Sequence, residues 1–326
     1  MGIYYSSITN FLRFLAQSLS FPFSFFNKKL NYNFERKVLI KVAKIITTSK
    51  FKKISTIKTK THNQFSENLL ELIKKKNLRN FLNFFFIQKI FFVHNRIYIV
   101  IQLIILRFSE NWTLWKKLLK ENSVGSPIRF FLYPWSSGNL IRQVYIIKKF
   151  IEWAKLNLTQ IDIVVEFGGG YGCTANFFYK ISKKIKYIIL DLKEVSLLQY
   201  YYLAMNFRQV SFHKEKKANI FLLNKMSNVK FYLNKYNSKN SFLIMNWSFS
   251  EIPIKERVKM EKIILKFNYI LICFQSTFES IDNLKYFKSL EKVLNKNNFN
   301  TEIKKNILMK FSSNVNHYYF FAVKRK

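Results

Sequence analysis

Ile163-Val164-Val165-Glu166-Phe167-Gly168-Gly169-Gly170-Tyr171-Gly172 runs from an apolar stretch through an acid into glycines at 168, 170 and 172. The apolar part has the composition of a strand buried on both faces, and residues 174–181 beyond the glycines read as a helix. Each part has a physical role. Glycine lets the chain turn sharply from strand into helix and lets a ligand touch backbone where a Cβ would intrude, while the first helical turn offers free N–H donors. Glu166, at the strand end, can hold a cation or a hydrogen-bond donor in the same crevice, directly or through water. The next apolar run, 187–191, ends in Asp191, 23 positions beyond Gly168. That distance suits a carboxylate that accepts hydrogen bonds from ribose hydroxyls. A tight connection with no ligand needs neither acid.

Outward from this turn, short apolar runs alternate with helical stretches. Strands are predicted at 162–167, 187–191, 229–233, 242–246 and 269–274, with a helix at 139–156 ahead of them. Near-continuous apolar strands in such alternation predict a parallel sheet covered by helices on both sides. The end differs, since 300–308 and 318–324 are predicted to pair as a closing antiparallel hairpin. Gly, Ser and Pro cluster at Ser123-Val124-Gly125-Ser126-Pro127 after a long stretch without them, so a boundary is placed there. The organisation predicted is a helical N-terminal region over 1–125 and an α/β domain over 126–326.

The N-terminal part is apolar but not continuously so. Asn83, Gln88, Lys89, His94, Asn95, Arg96 and Gln102 interrupt 81–106 too often for a membrane span. Residues 11–26 are broken by Arg13 and Gln17 and lack a small-residue cleavage site, which fits a buried or interfacial helix better than a signal peptide. Gly2 and Ser6 match a loose myristoylation pattern, read here as coincidence. The region is predicted to form helices with broad apolar faces and basic outer faces that pack against the rest of the chain. Peripheral attachment to an anionic membrane surface is the alternative.

The chain has 326 residues, 49% of them hydrophobic, which is enough for a sizeable core. Its 55 Lys and Arg against 18 acids give +37, a charge that attracts nucleic acid, anionic lipid or phosphorylated substrates. Abundant Lys, Asn, Ile, Phe and Tyr with scarce Gly, Pro and Ala is also what an AT-rich coding sequence produces, and basic charge alone confers only non-specific affinity. Cys173 and Cys273 form neither a CxxC pair nor a Cys/His cluster. A reducing, cytoplasmic setting without structural zinc is the expectation, with the inner face of the membrane as its variant.

The spacing of the glycines separates two cofactor classes. A nicotinamide fingerprint needs GxGxxG, and counting from Gly168 puts Cys173 where the third glycine belongs. The GxGxG present, with an acid two residues before it, resembles the first motif of class I S-adenosylmethionine-dependent methyltransferases. A closer resemblance joins EFGGGYG at 166–172, YIILDLKEVSLLQYYYL at 187–203, WSFSEIP at 247–253, FQSTFESIDNLKYF at 274–287 and NHYYFFAVK at 316–324. In order and spacing these blocks are similar to a bacterial family of sugar O-methyltransferases, over about residues 135–326; Lys193 departs from the family's usual proline. The resemblance implies a Rossmann-like, seven-stranded, mostly parallel sheet ending in an antiparallel hairpin. It also implies S-adenosyl-L-methionine as cofactor, with Glu166, Gly168, Gly169, Gly170, Tyr171, Gly172, Asp191, Leu192, Asn246 and Trp247 around it, and a sugar or glycan hydroxyl as acceptor, in polysaccharide or glycoconjugate synthesis.

Methyl transfer to an alcohol needs an aligned nucleophile, exclusion of water and removal of the hydroxyl proton. His317, just before the last predicted strand, is the first candidate base because imidazole titrates near neutrality; a turn histidine bonded to backbone is its equal alternative. Glu251 is the second, with capping of a helix that starts near Pro253 as its competing role. Gln275, after the strand 269–274, can hydrogen-bond a sugar hydroxyl, and Asn283 can do the same. Trp247 can stack on adenine or a sugar face or serve as core, and Tyr171 is similarly ambiguous. A metal-assisted route would need Glu251, Glu279 and Asp282 to converge without any tight spacing, so no metal is expected.

Two other functions compete. Nucleic-acid methylation, which the charge raises, is disfavoured because amino-group enzymes carry an Asn/Asp-Pro-Pro-aromatic motif where this chain has Asn246-Trp247-Ser248-Phe249. Neither cysteine is placed to attack a pyrimidine carbon. A non-catalytic membrane-surface or binding protein with a degenerate cofactor fold is disfavoured by the intact Glu166, Gly168, Gly170, Gly172 and Asp191.

Overall fold

The computed structural model describes residues 11, 15, 18–47, 60–91, 96, 98–207, 209–212, 218–236, 239–311 and 315–325. The myristoylation-like start lies outside them. Contacts divide the described chain into two compact units, one taking residues up to 148 together with 197–207, the other 149–196 and 209–325.

The first unit is helical, with helices at Tyr32–Thr47, Lys60–Lys74, Phe85–Ile90, Tyr98–Arg107 and Trp112–Leu118. A small antiparallel pair, Arg129–Phe130 with Tyr133–Ser137, follows, and the helix Gly138–Ala154 begins in this unit. Phe81 is fully buried and meets the rings of Tyr201 and Tyr202 edge-on at 6.3 Å. Gly125, in the predicted boundary cluster, has φ +83°, and a Cβ there would come within 2.4 Å of the Phe81 ring. A buried carboxylate joins remote segments: Glu35 accepts from Arg79 Nε at 2.9 Å and from Tyr201 Oη at 2.7 Å. Both bonds charge-assist a group that burial alone would penalise.

The second unit is built on an eight-stranded sheet. Its strands are β1 (Ile163–Phe167), β2 (Lys186–Leu190), β3 (Val210–Ser211), β4 (Ile220–Leu223), β5 (Ser241–Asn246), β6 (Tyr269–Gln275), β7 (Phe299–Lys305) and β8 (His317–Lys324). They lie in the order β7-β8-β6-β5-β1-β2-β4-β3. All pairs from β6 to β3 are parallel, while β8 runs antiparallel to both β6 and β7. This is the Rossmann-like α/β fold with a closing antiparallel pair; the two-residue edge strand β3 extends the seven strands expected to eight. From β1 the chain builds outward through β2 to β4 and β3, then returns to the other side of β1 with β5. Ligands of open α/β sheets bind where the order reverses, at the carboxyl ends of the strands, which here are those of β1 and β5.

Helices α1 (Cys173–Ile181), α2 (Lys193–Ala204), α3 (Met226–Tyr236), α4 (Ile254–Ile264) and α5 (Asn283–Lys296) connect the strands. Alternate strand residues serve opposite faces. Val165, Ile188, Leu243, Ile270 and Ile272 join Val229, Tyr232, Ile264, Phe287 and Leu290 in one core. On the other face Phe242 stacks on Phe150 at 4.8 Å, and Phe178 packs against Phe242 and Tyr187.

One predicted strand is wrong. Residues 229–233 lie in α3, where Val229 and Tyr232 are buried and Phe231 is 40% exposed, a spacing of three that belongs to a helix. The strand beside β2 is instead Ile220–Leu223, a four-residue apolar run too short for periodicity to tell strand from helix.

Candidate functional site

The glycine turn is enclosed from two directions. Gly168 has φ +67°, its N–H donates to Leu190 O at 2.9 Å, and a Cβ on it would lie 2.2 Å from both Cβ and Oγ of Ser248. Ser248 cannot move aside freely, since its hydroxyl donates to Phe167 O at 2.6 Å. A Cβ on Gly169 would meet Glu166 Oε2 and Ile189 Cγ2 at 2.8 Å. Gly170 and Gly172 have φ +54° and +98°, and Gly172 is the N-cap of α1 in left-handed conformation. Glycine backbone and a helix start therefore stand together at the carboxyl end of β1.

Glu166 points inward from this turn. It is 3% exposed and its Oε2 accepts from Tyr187 Oη at 2.7 Å. Burial pushes its carboxyl up to about 7, opposed by hydrogen bonds from Tyr187 and Thr174. The same carboxylate raises the Tyr187 hydroxyl, after burial as the larger cause. Its place under Gly169 fits a group that fixes the turn's shape. Tyr171 is 2% exposed and packed as core.

Asp191 follows β2 directly. It is half-buried, its N–H donates to Leu223 O at 3.0 Å, and its Oδ1 accepts from Leu192 N at 2.8 Å. That local bond fixes one carboxylate oxygen at the turn that follows β2, the strand paired with β1.

At the β5 end the backbone is strained. Trp247 has φ +63° and ψ −42°, close to a γ-turn of positive φ that bulky residues adopt at a cost of roughly 1–3 kcal/mol. Its N–H donates to Cys273 O at 2.7 Å, and its indole Nε1 donates to His317 Nδ1 at 3.0 Å. Trp247 is 5% and His317 8% exposed. With Nδ1 accepting, the neutral imidazole carries its proton on Nε2. Across the β6–β8 pairing His317 stands opposite Gln275, so the structure brings Trp247, His317 and Gln275 together at one edge. Asn246, the last residue of β5, is half-buried and opposite Cys273.

A buried network supports this edge. Ser250 Oγ shares its proton between Trp247 O and Gln275 Oε1, the latter at 3.0 Å. Among the described residues the Gln275 Nε2 hydrogens make no bond. Arg257, fully buried in α4, donates to Ile252 O at 2.8 Å, Ser250 O at 2.7 Å and Asn283 Oδ1 at 2.7 Å. Burial lowers its guanidinium to about 10, and the Tyr286 ring lies 5.1 Å away. Asn283 thus turns to Arg257 rather than to a crevice. Arg257 had no sequence signal: within Ile254-Lys255-Glu256-Arg257-Val258-Lys259 it looks like one more surface cation.

Glu251 ends the 3-10 turn Ser248–Glu251 after β5 and is half-buried. The N-cap of α4 is Pro253, which makes no side-chain cap bond. Asp282 caps α5, its Oδ1 accepting from Lys285 N at 2.9 Å. Both cysteines are buried.

No family model and no curated protein matches the chain. Among solved structures it is similar to the methyltransferase domain of bacterial CtHen1, with 11% identity, 56% of this chain and 97% of that one covered, and a TM-score of 0.39. It is also similar to the Methanococcus jannaschii fibrillarin pre-rRNA processing protein (13%, 52% and 69%, 0.37). A third is the glycopeptide N-methyltransferase MtfA complexed with S-adenosyl-L-methionine (9%, 55% and 87%, 0.35).

Proposed function

We propose that the C-terminal unit is an S-adenosylmethionine-dependent O-methyltransferase acting on a sugar hydroxyl. The observation that carries the cofactor is the glycine turn itself: Gly168, Gly170 and Gly172, all at positive φ, lead from the carboxyl end of β1 into the N-terminus of α1, where the sheet order reverses. Gly168, Gly170 and Gly172 would lie against the cofactor, Asp191 would accept from its ribose hydroxyls, and Leu192, Asn246 and Trp247 would border it. Bound there, the cofactor supplies a methyl group already activated as a sulfonium.

The chain's own residues then have to orient the acceptor and take its proton. Gln275 presents Nε2 donors to an acceptor oxygen, held by Ser250. His317 accepts from Trp247 at Nδ1, so that nitrogen can take a proton only by giving up the Trp247 bond. Glu251, at the end of the turn that follows β5, is the carboxylate proposed to take the acceptor's proton. The family resemblance of the C-terminal blocks, together with the absent prolines after Asn246, supports a sugar oxygen as acceptor.

Two measurements test this. Calorimetry should show S-adenosylmethionine binding that Gly170→Val or Asp191→Ala abolishes; unchanged binding in both variants would sink the site. Labelled methyl transfer should reach nucleotide sugars or polysaccharide, and transfer to RNA alone would overturn the acceptor.

A further inference from the structure

Helix Tyr98–Arg107 of the N-terminal unit is apolar on two sides. Tyr98, Ile99, Gln102, Leu103 and Leu106 are buried, whereas Ile101, Ile104, Ile105 and Phe108 are 42%, 48%, 37% and 83% exposed. The spacing i, i+3, i+4, i+7 sets these four in one stripe. Leu114 on the adjoining helix Trp112–Leu118 is 41% exposed. A helix packed by one face in water normally turns polar residues outward, and a contiguous exposed apolar stripe marks an interaction surface. The sequence reading excluded a membrane span through 81–106, and no helix among the described residues is long and apolar enough to cross one.

We propose that this stripe docks on an anionic lipid bilayer, with the helix lying in the plane of the interface. Charge selects the occupant. Arg107, Lys116 and Lys117 are exposed on the same two helices and Lys120 is exposed two residues beyond the second, and Glu110 is the single acid between 98 and 120. A second copy of the chain would bring +37 against +37. Anionic headgroups instead neutralise the lysines while the acyl boundary takes up Ile104 and Phe108. For a helix lying in the interface, buried apolar area and attraction of basic residues to anionic lipid add to the binding strength. The assignment is independent of the methyltransferase reading.

The test is co-sedimentation of the full-length protein with phosphatidylcholine vesicles and with vesicles rich in phosphatidylglycerol, at low and physiological salt. The variants are Ile104→Ser with Phe108→Ser, and Lys116→Gln with Lys117→Gln; all four positions are exposed, and circular dichroism checks that each variant folds. Wild type should partition onto the anionic vesicles, and each double variant should weaken that partitioning about tenfold or more. Unchanged binding of the serine variant would overturn the apolar face. Absence of vesicle binding, with a concentration-dependent oligomer that the serine variant dissolves, would assign the stripe to a second copy instead.

Discussion

The indole Nε1 of Trp247 donates to Nδ1 of His317 across 3.0 Å, joining the end of β5 to the start of β8. The bond places the proton of the neutral imidazole on Nε2. His317→Gln can keep both functions, its Oε1 accepting from Trp247 and its Nε2 donating. Turnover should therefore fall no more than about tenfold in His317→Gln, while Glu251→Gln removes it. Abolition by His317→Gln with survival in Glu251→Gln would make the histidine the base.

Trp247→Phe keeps a ring at this position but leaves His317 Nδ1 buried without its donor. The expected loss is about 1–3 kcal/mol of stability, read from urea unfolding. A loss well below this range would show that the bond contributes little.

Gly168→Ala combines a left-handed backbone with a Cβ 2.2 Å from Ser248. Strain and overpacking together should destabilise the chain by about 2–4 kcal/mol and weaken cofactor binding. Adding Ser248→Gly removes the colliding atoms, so the double variant should regain part of the loss. Strict additivity of the two substitutions would mean that the collision is relieved in some other way.

Glu166 makes stability depend on pH. Its carboxyl rises from 4.5 to about 7 on folding, so between these values the folded chain holds a proton that the unfolded chain has released. The stabilisation is full below about 4.5 and is lost as pH rises through about 7, by an amount on the order of 3 kcal/mol. Glu166→Gln should flatten this fall, seen in unfolding free energies at pH 5 and pH 8. A wild type that gains stability relative to the variant over that interval would contradict the assignment.

Ser250→Ala frees the Gln275 amide to rotate. Acceptor KM should rise several-fold, with S-adenosylmethionine affinity unchanged and stability altered by about 1 kcal/mol. Gln275→Glu, which removes the Nε2 donors, should affect acceptor KM more. If cofactor affinity fell instead, the Ser250–Gln275 pair would belong to the cofactor side.

The amino-acid order by itself determined the glycine turn, the strands of β1, β2, β5 and β6, the antiparallel close and the position of Asp191. These are local: glycine conformations, near-continuous apolar runs and an acid at a strand end carry their meaning within a few residues. The short buried run Ile220–Leu223 and the helix over 229–233 were not legible, because periodicity is ambiguous in so few residues and only the neighbour β2 selects which one joins the sheet. Tertiary structure alone decided that Glu166 turns inward to Tyr187, that Arg257 is buried on Ser250 and Asn283, and that His317 meets Trp247. Each of these partners is 7 to 70 residues away in the chain. Their meeting depends on which strands lie side by side, which residue chemistry at any one position does not specify.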